Sequence, residues 1–182
     1  MTIYTIGHST LPLADFVAIL ERYQIKQLVD IRTVPRSRAN PQYNRENLPE
    51  ALALHHLSYF HLAKLGGLRA KAKQEAADNP NLNNAGWDNP SFRNYADYAL
   101  TEPFHQGLHE LLTLASKALS VIMCAEAVWW RCHRRIVADY LLLEGVEVLD
   151  LLPPASPKPH LLTSFARPQP DGTIWYPSTA SE

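Results

Sequence analysis

Cysteine is nearly absent from this 182-residue chain: Cys124 and Cys132 are the only two. They fit no disulfide-rich scaffold, so reduced thiols and a cytoplasmic location are expected. No apolar run reaches the roughly 18 residues that a membrane-spanning helix needs. The opening "MTIYTIGHST" lacks the basic stretch and apolar core of an export signal. Charge of one sign is not in excess either: the net charge is −1, which excludes a polycation that coats nucleic acid by bulk attraction. Neither G-x-x-x-x-G-K-[ST] nor G-x-G-x-x-G occurs, so the standard nucleotide-binding loops are missing. There is no internal repeat.

What remains is an ordinary globular composition, 46% hydrophobic and 19% charged. A chain of this length is most simply one domain that buries roughly 70% of its unfolded surface. Apolar strands alternate with helical patterns, which predicts an α/β layer fold with a mostly parallel sheet of about five strands flanked by helices, in Rossmann-like layering. The predicted strands are "TIYTIGHS", "KQLVDIR", Tyr59 to Leu62, "ALSVIM" and "VEVLDLL". Leu13, Phe16, Val17 and Leu20 recur at helical spacing, with Pro12 in the first turn. Asn47 and Glu50 have the spacing of a capping box, and Thr101 is placed to cap a later helix. Residues 68–90 hold no period and read as a lid or irregular insertion in which Trp87 could dock. Residues 153–182 form a proline-rich tail in which "TIWYP" could add a small edge strand.

In open parallel sheets, ligands bind beyond the carboxyl ends of the strands. Here four of the five predicted strands end in polar groups. Gly7, His8 and Ser9 follow the first. Asp30, Arg32, Arg36 and Ser37 follow the second. His61, Gly66 and Gly67 follow the third, and Cys124 and Glu126 the fourth. A helix predicted to begin between Ala127 and Arg131 would carry Cys132, His133 and Arg134 in or near its first turn. Its unpaired N–H groups would attract anions and favour a Cys132 thiolate. The acid Glu126, just after a buried strand, calls for a partner such as Arg32 or Arg134.

Each of these residues also has a purely structural reading. Cys124 can be a packed small hydrophobe, and Cys132 can face the sheet. His8 can bond a neighbouring carbonyl, and Asp30 with Arg32 can form a structural pair. His55, His56, His105 and His109 fall on helices and are expected to be exposed. Cys124, Cys132 and His133 lack the close cysteine pair common in structural zinc motifs, so no metal is assigned and no cofactor is predicted. Basic residues cluster at Arg32 to Arg45, at Arg69, Lys71 and Lys73, and at Arg131, Arg134 and Arg135.

The stretches "TIGHST", "DIRTVPRS", "YFHLAKLGG", "MCAEAVWWRCHRRIVADYL" and "DGTIWYP" together resemble the bacterial and archaeal domain of unknown function 488. By position, the resemblance covers Gly7, His8, Ser9, Asp30, Arg32, Pro35, Ser37, Leu65, Gly66, Gly67, Cys124, Glu126, Cys132, His133 and Arg134. It implies a shared α/β site with a link to nucleotide or nucleic-acid metabolism, and it supplies no reaction.

The expectation is therefore an enzyme acting on an anionic small molecule or nucleic-acid-derived substrate, with glycosidic-bond cleavage as the reaction class. Glu126 would be acid/base or nucleophile, assisted by His8 and Asp30, with Cys124 supporting or reacting. Ser9, Arg32, Arg36, Ser37, Gly66, Gly67, Cys132, His133 and Arg134 would hold the anion. Two rivals are a nucleic-acid-binding module that stacks bases on Tyr43 and Trp87, and thiol chemistry at Cys132. Oligomeric state is not legible.

Overall fold

Five apolar segments pair side by side in a computed structural model that describes residues 1–68 and 82–178. The strands are β1 (Thr2–Gly7), β2 (Gln27–Asp30), β3 (Ser58–His61), β4 (Ser120–Cys124) and β5 (Glu147–Leu151). They run parallel in the order β3-β2-β4-β1-β5, and a short β6 (Lys158–Pro159) adds antiparallel to β5. Residues of β2 are buried throughout, as are the first four of β4. That explains why Leu28-Val29 and Val121-Ile122-Met123 follow one another without polar alternation: a strand covered on both faces has no solvent side to alternate with.

Alternate residues of these strands feed two cores. On one face Ile6, Leu28, Val121 and Met123 pack against Phe16, Val17 and Leu20 of α1 (Leu13–Arg22) and Leu48 and Leu52 of α2 (Leu48–Ala53). On the other, Ile3, Val29, Ile122 and Val148 meet α3 (Pro90–Ala99), α4 (Glu102–Ala115) and α5 (Arg134–Leu143). Each fully buried large aliphatic side chain stabilises the fold by roughly 1.5–3 kcal/mol. Helices thus cover both faces of a doubly wound sheet, and the strand order reverses around β4 and β1, where such sheets open a crevice. Among the described residues, no helix is long and apolar enough to cross a membrane.

Three local expectations change. Asn47 precedes α2, but its side chain makes no cap bond; it donates to the Pro41 carbonyl instead. The Thr101 hydroxyl likewise donates backward, to the Tyr98 carbonyl. The true side-chain cap is Asn89, which accepts from the Ser91 N–H at the start of α3. The last long helix begins later than predicted: Trp129–Arg131 form a single 3-10 turn, Cys132 is extended, and α5 starts at Arg134.

The tail does more than end the fold. Beyond β6 it forms a separate two-stranded ribbon, β7 (Arg167–Pro168) with β8 (Ile174–Trp175), so "TIWYP" joins this ribbon and not the main sheet. Of the expected lid, residues 69–81 lie outside the described residues. Trp87 does dock: it is 5% exposed, stacks on Phe92 and lies beneath the Arg135 guanidinium at 4.9 Å.

Candidate active site

Register alone brings the polar strand ends together. Gly7 lies opposite Cys124, and Asp30 lies opposite both Met123 and His61. Beyond the strands the β1–β4 ladder continues, with the His8 and Ser9 N–H groups donating to the carbonyls of Cys124 and Ala125 at 3.0 Å. Ser9 holds a left-handed φ of 46°, a strained value for a non-glycine residue that turns the chain toward α1. Gly7 permits this close approach, since a Cβ there would overlap the Glu126 carbonyl. Over these ends opens a crevice of about 730 Å³, walled by residues from the β1, β2 and β4 termini, the Gly67 strap and the start of α3.

On the β2 side, Asp30 and Arg32 form a buried pair. Asp30 Oδ1 accepts from Arg32 Nε at 2.9 Å and Oδ2 accepts from Nη2 at 2.6 Å. The Arg32 N–H also donates to Oδ1, and the Tyr59 hydroxyl donates to Oδ2 at 2.8 Å. Burial opposes the Arg32 charge, but the bonded carboxylate outweighs it and holds the guanidinium above its ordinary pKa. Arg32 also donates to the Tyr43 carbonyl at 2.7 Å.

His8 completes this group. Its Nδ1 lies 2.8 Å from the Ser9 carbonyl, which can only accept, so Nδ1 carries the proton. Nε2 is then the acceptor for Arg32 Nη1 at 3.2 Å. Burial, aided by the Arg32 charge, lowers the His8 pKa to about 4, and the ring is neutral at pH 7. It stacks on Tyr43 with centroids 4.0 Å apart.

On the β4 side, three donors converge. Cys124 ends β4, while Cys132 and His133 immediately precede α5. His133 Nε2 lies 3.0 Å from the Ile31 carbonyl and must donate to it, which leaves the Nδ1 lone pair free. That lone pair faces Cys132 Sγ at 3.5 Å and Cys124 Sγ at 3.9 Å. Cys132 Sγ also accepts from the Arg134 N–H at 3.5 Å. The two thiols divide in acidity. Both thiols are free; Cys124 is pushed well up by its hydrogen bond to Cys132 and by burial, while for Cys132 burial is outweighed by the hydrogen bond from Cys124 and by His133 and Arg134, and its pKa falls well below the usual value. Among the described residues these three form the metal-competent cluster, with donor atoms within 4.8 Å of one another.

Most of the sequence-predicted residues meet here. His8, Ser9, Arg32, Arg36, Ser37, Gly67, Cys124, Glu126, Cys132 and His133 all line the crevice. Asp30 lies beneath it, bonded to Arg32. Gly66 packs against Thr33 behind the wall. Arg134, 1% exposed, sits under the floor, where it donates to the Glu126 and Ala127 carbonyls and to Thr5 Oγ1. Glu126 corrects an expectation: β4 ends two residues earlier, the side chain is exposed, and among the described residues its carboxylate has no partner.

Arg131, Thr33, Asn40, Asn89 and Ser91 also line the crevice and were not singled out as site residues. The N-P-S start of α3 is a readable cap signal, but nothing local places that cap beside β4. Tyr43 is fully buried and Trp87 nearly so, leaving neither ring a face on which a base could stack. His55 and His109 are exposed as expected, as is His56, whereas His105 is half-buried against Phe104 and Tyr140.

The fold and crevice define an α/β protein with an open crevice at the carboxyl ends of a parallel sheet. A family model described as "Domain of unknown function DUF488" matches residues 12–141, and the chain belongs to that family. The match begins after His8 and Ser9. No curated protein and no solved structure matches the chain.

Proposed function

We propose that the crevice is the active site of an enzyme acting on an anionic substrate, a nucleotide or a nucleic-acid-derived base or sugar phosphate. The balance of charge on the walls supports this most directly. Among the described residues, Arg32, Arg36 and Arg131 line the crevice together with one carboxylate, Glu126. Arg32 is neutralised by Asp30, so among the described lining residues Arg36 and Arg131 are the cations left for a ligand; Arg36 lies only loosely near Glu46, at 3.9 Å. Hydroxyls of Ser9, Thr33 and Ser37 stand beside them. The volume falls within the roughly 300–1,000 Å³ of small-molecule sites.

Glu126 is the acid/base in this reading, and the reaction class is glycosidic-bond cleavage: water attacks the anomeric carbon, the bond to the leaving group breaks, and Glu126 carries the proton. Asp30 and His8 act as positioning residues, since Arg32, Tyr59 and the Ser9 carbonyl occupy their polar atoms. Cys124 and His133 line the far wall. Incubating the protein with a panel of nucleosides, nucleotides and sugar phosphates, with products read by mass spectrometry, tests the proposal. Turnover of a phosphorylated member, cut at least about 100-fold by Glu126→Gln, is the expected result. Equal turnover by the folded variant, or turnover of uncharged nucleosides alone, would overturn it.

A further inference from the structure

We propose that Cys124, Cys132 and His133 form a three-ligand site for a divalent metal of the zinc class, with its fourth position open to the crevice. The inference goes beyond the proposed function and stands on the site's own geometry. Zinc bound by sulfur at about 2.3 Å and nitrogen at about 2.0–2.1 Å in a tetrahedron requires S···N separations of about 3.6 Å. The Nδ1 atom of His133 lies 3.5 Å from Cys132 Sγ and 3.9 Å from Cys124 Sγ, and the three donor atoms lie within 4.8 Å of one another.

A second observation is independent of those distances. Metal-bound histidine nearly always donates its other ring N–H to a carboxylate, carbonyl or water, which fixes the tautomer. His133 has that arrangement: Nε2 donates to the Ile31 carbonyl at the end of β2, and Nδ1 is left as a lone pair aimed at both sulfurs. The Arg134 N–H directed at Cys132 Sγ favours a bound thiolate in the same way. Gly67 provides the room, because a Cβ at that position would overlap His133 Nδ1.

The ligands come from two elements and not from a close C-x-x-C pair. The end of β4 and the segment before α5 are brought together by the 3-10 turn at Trp129–Arg131. All three ligands line the crevice, and three protein ligands with one open position is the pattern of catalytic zinc, not structural zinc. A metal held there can polarise a substrate oxygen or lower the pKa of a bound water.

Cobalt(II) titration of the reduced, metal-free full chain tests the site without any substrate, so failure of the proposed reaction leaves this result untouched. The expected outcome is one equivalent bound, with strong tetrahedral visible bands and a sulfur-to-cobalt charge-transfer band. Excess zinc should abolish both, and azide should shift the visible bands by taking the open position. Cys124→Ser and Cys132→Ser should each lose the charge-transfer intensity and weaken binding at least tenfold. X-ray absorption of the zinc-loaded wild-type protein provides a second reading that does not depend on the folding of a cysteine variant, with two sulfurs and one imidazole expected in the coordination sphere. Weak octahedral bands, a coordination sphere without sulfur, or a spectrum retained by folded Cys124→Ser would overturn the inference. So would a Cys124–Cys132 disulfide that persists in reductant.

Discussion

At the scale of single residues, the crevice rests on side chains that are already satisfied inside the protein. Asp30 is fully buried and receives donors from Arg32 and Tyr59 on both oxygens. Removing one member strands the other, a cost of about 3–5 kcal/mol for a buried pair. Asp30→Ala should therefore lower unfolding free energy in urea by about that amount. A loss below about 1 kcal/mol would show that Arg32 finds water or another acceptor. Gly67 offers a sharper probe of geometry. Gly67→Ala sets a carbon into the His133 ring, and the shift that relieves the overlap is expected to pull the ring off the Ile31 carbonyl. Overpacking of this kind costs about 1–3 kcal/mol. The His133 Nε2–H resonance should move or vanish in a histidine-selective NMR spectrum, and an unchanged resonance would contradict the contact.

At the scale of elements, a buried polar chain ties the tail to the floor of the site. Arg134, at the start of α5, reaches Thr5 Oγ1 in β1; Thr5 donates to Asp150 of β5 at 2.7 Å. Asp150 then pairs with His160 Nδ1 at 2.8 Å, and Asp139 of α5 lies 3.7 Å from its Nε2. Tyr176 donates to Asp139 at 3.0 Å. Burial alone would lower the His160 pKa, but the two carboxylates raise it to about 9. A histidine that binds its proton more tightly when folded contributes stability that is complete below pH 6.5 and is lost as pH rises through about 9. Urea unfolding at a series of pH values should show a decline on the order of 3 kcal/mol across that window. His160→Gln should remove the decline; a variant with the same slope would place the titration elsewhere.

At the scale of the whole molecule, the net charge of −1 conceals a cationic rim, Arg36 and Arg131 beside Glu126, along the crevice. Anion binding should weaken with added salt, because Arg36 and Arg131 are exposed and screened. Arg36→Ala and Arg131→Ala should each reduce affinity for a nucleoside phosphate by a few-fold to about tenfold, or about 1–1.5 kcal/mol, read by calorimetry. Both should leave the urea midpoint unchanged, as neither side chain supports the core. Equal affinity in the double variant would move the anion site elsewhere.

Layer type and strand identity were legible without coordinates because the covering of both sheet faces is written locally. Adjacent apolar residues such as Leu28-Val29 and Val121-Ile122-Met123 point to opposite faces of a strand and can all be buried only if both sides are packed. The crowding of polar residues at strand ends was legible for a similar reason, since parallel strands point their carboxyl ends the same way. Pairing was not. Glu126 and Arg134 are close in sequence, yet Arg134 bonds the Glu126 carbonyl and leaves the carboxylate in the crevice. The His133 tautomer depends on Ile31, 102 positions away. The tail shows no helical or strand period that would reveal its role, and only the packed structure brings His160 between Asp139 and Asp150. Periodicity and turn chemistry act over a few residues, whereas hydrogen-bond partners across strands are chosen by register and packing, which no short window contains.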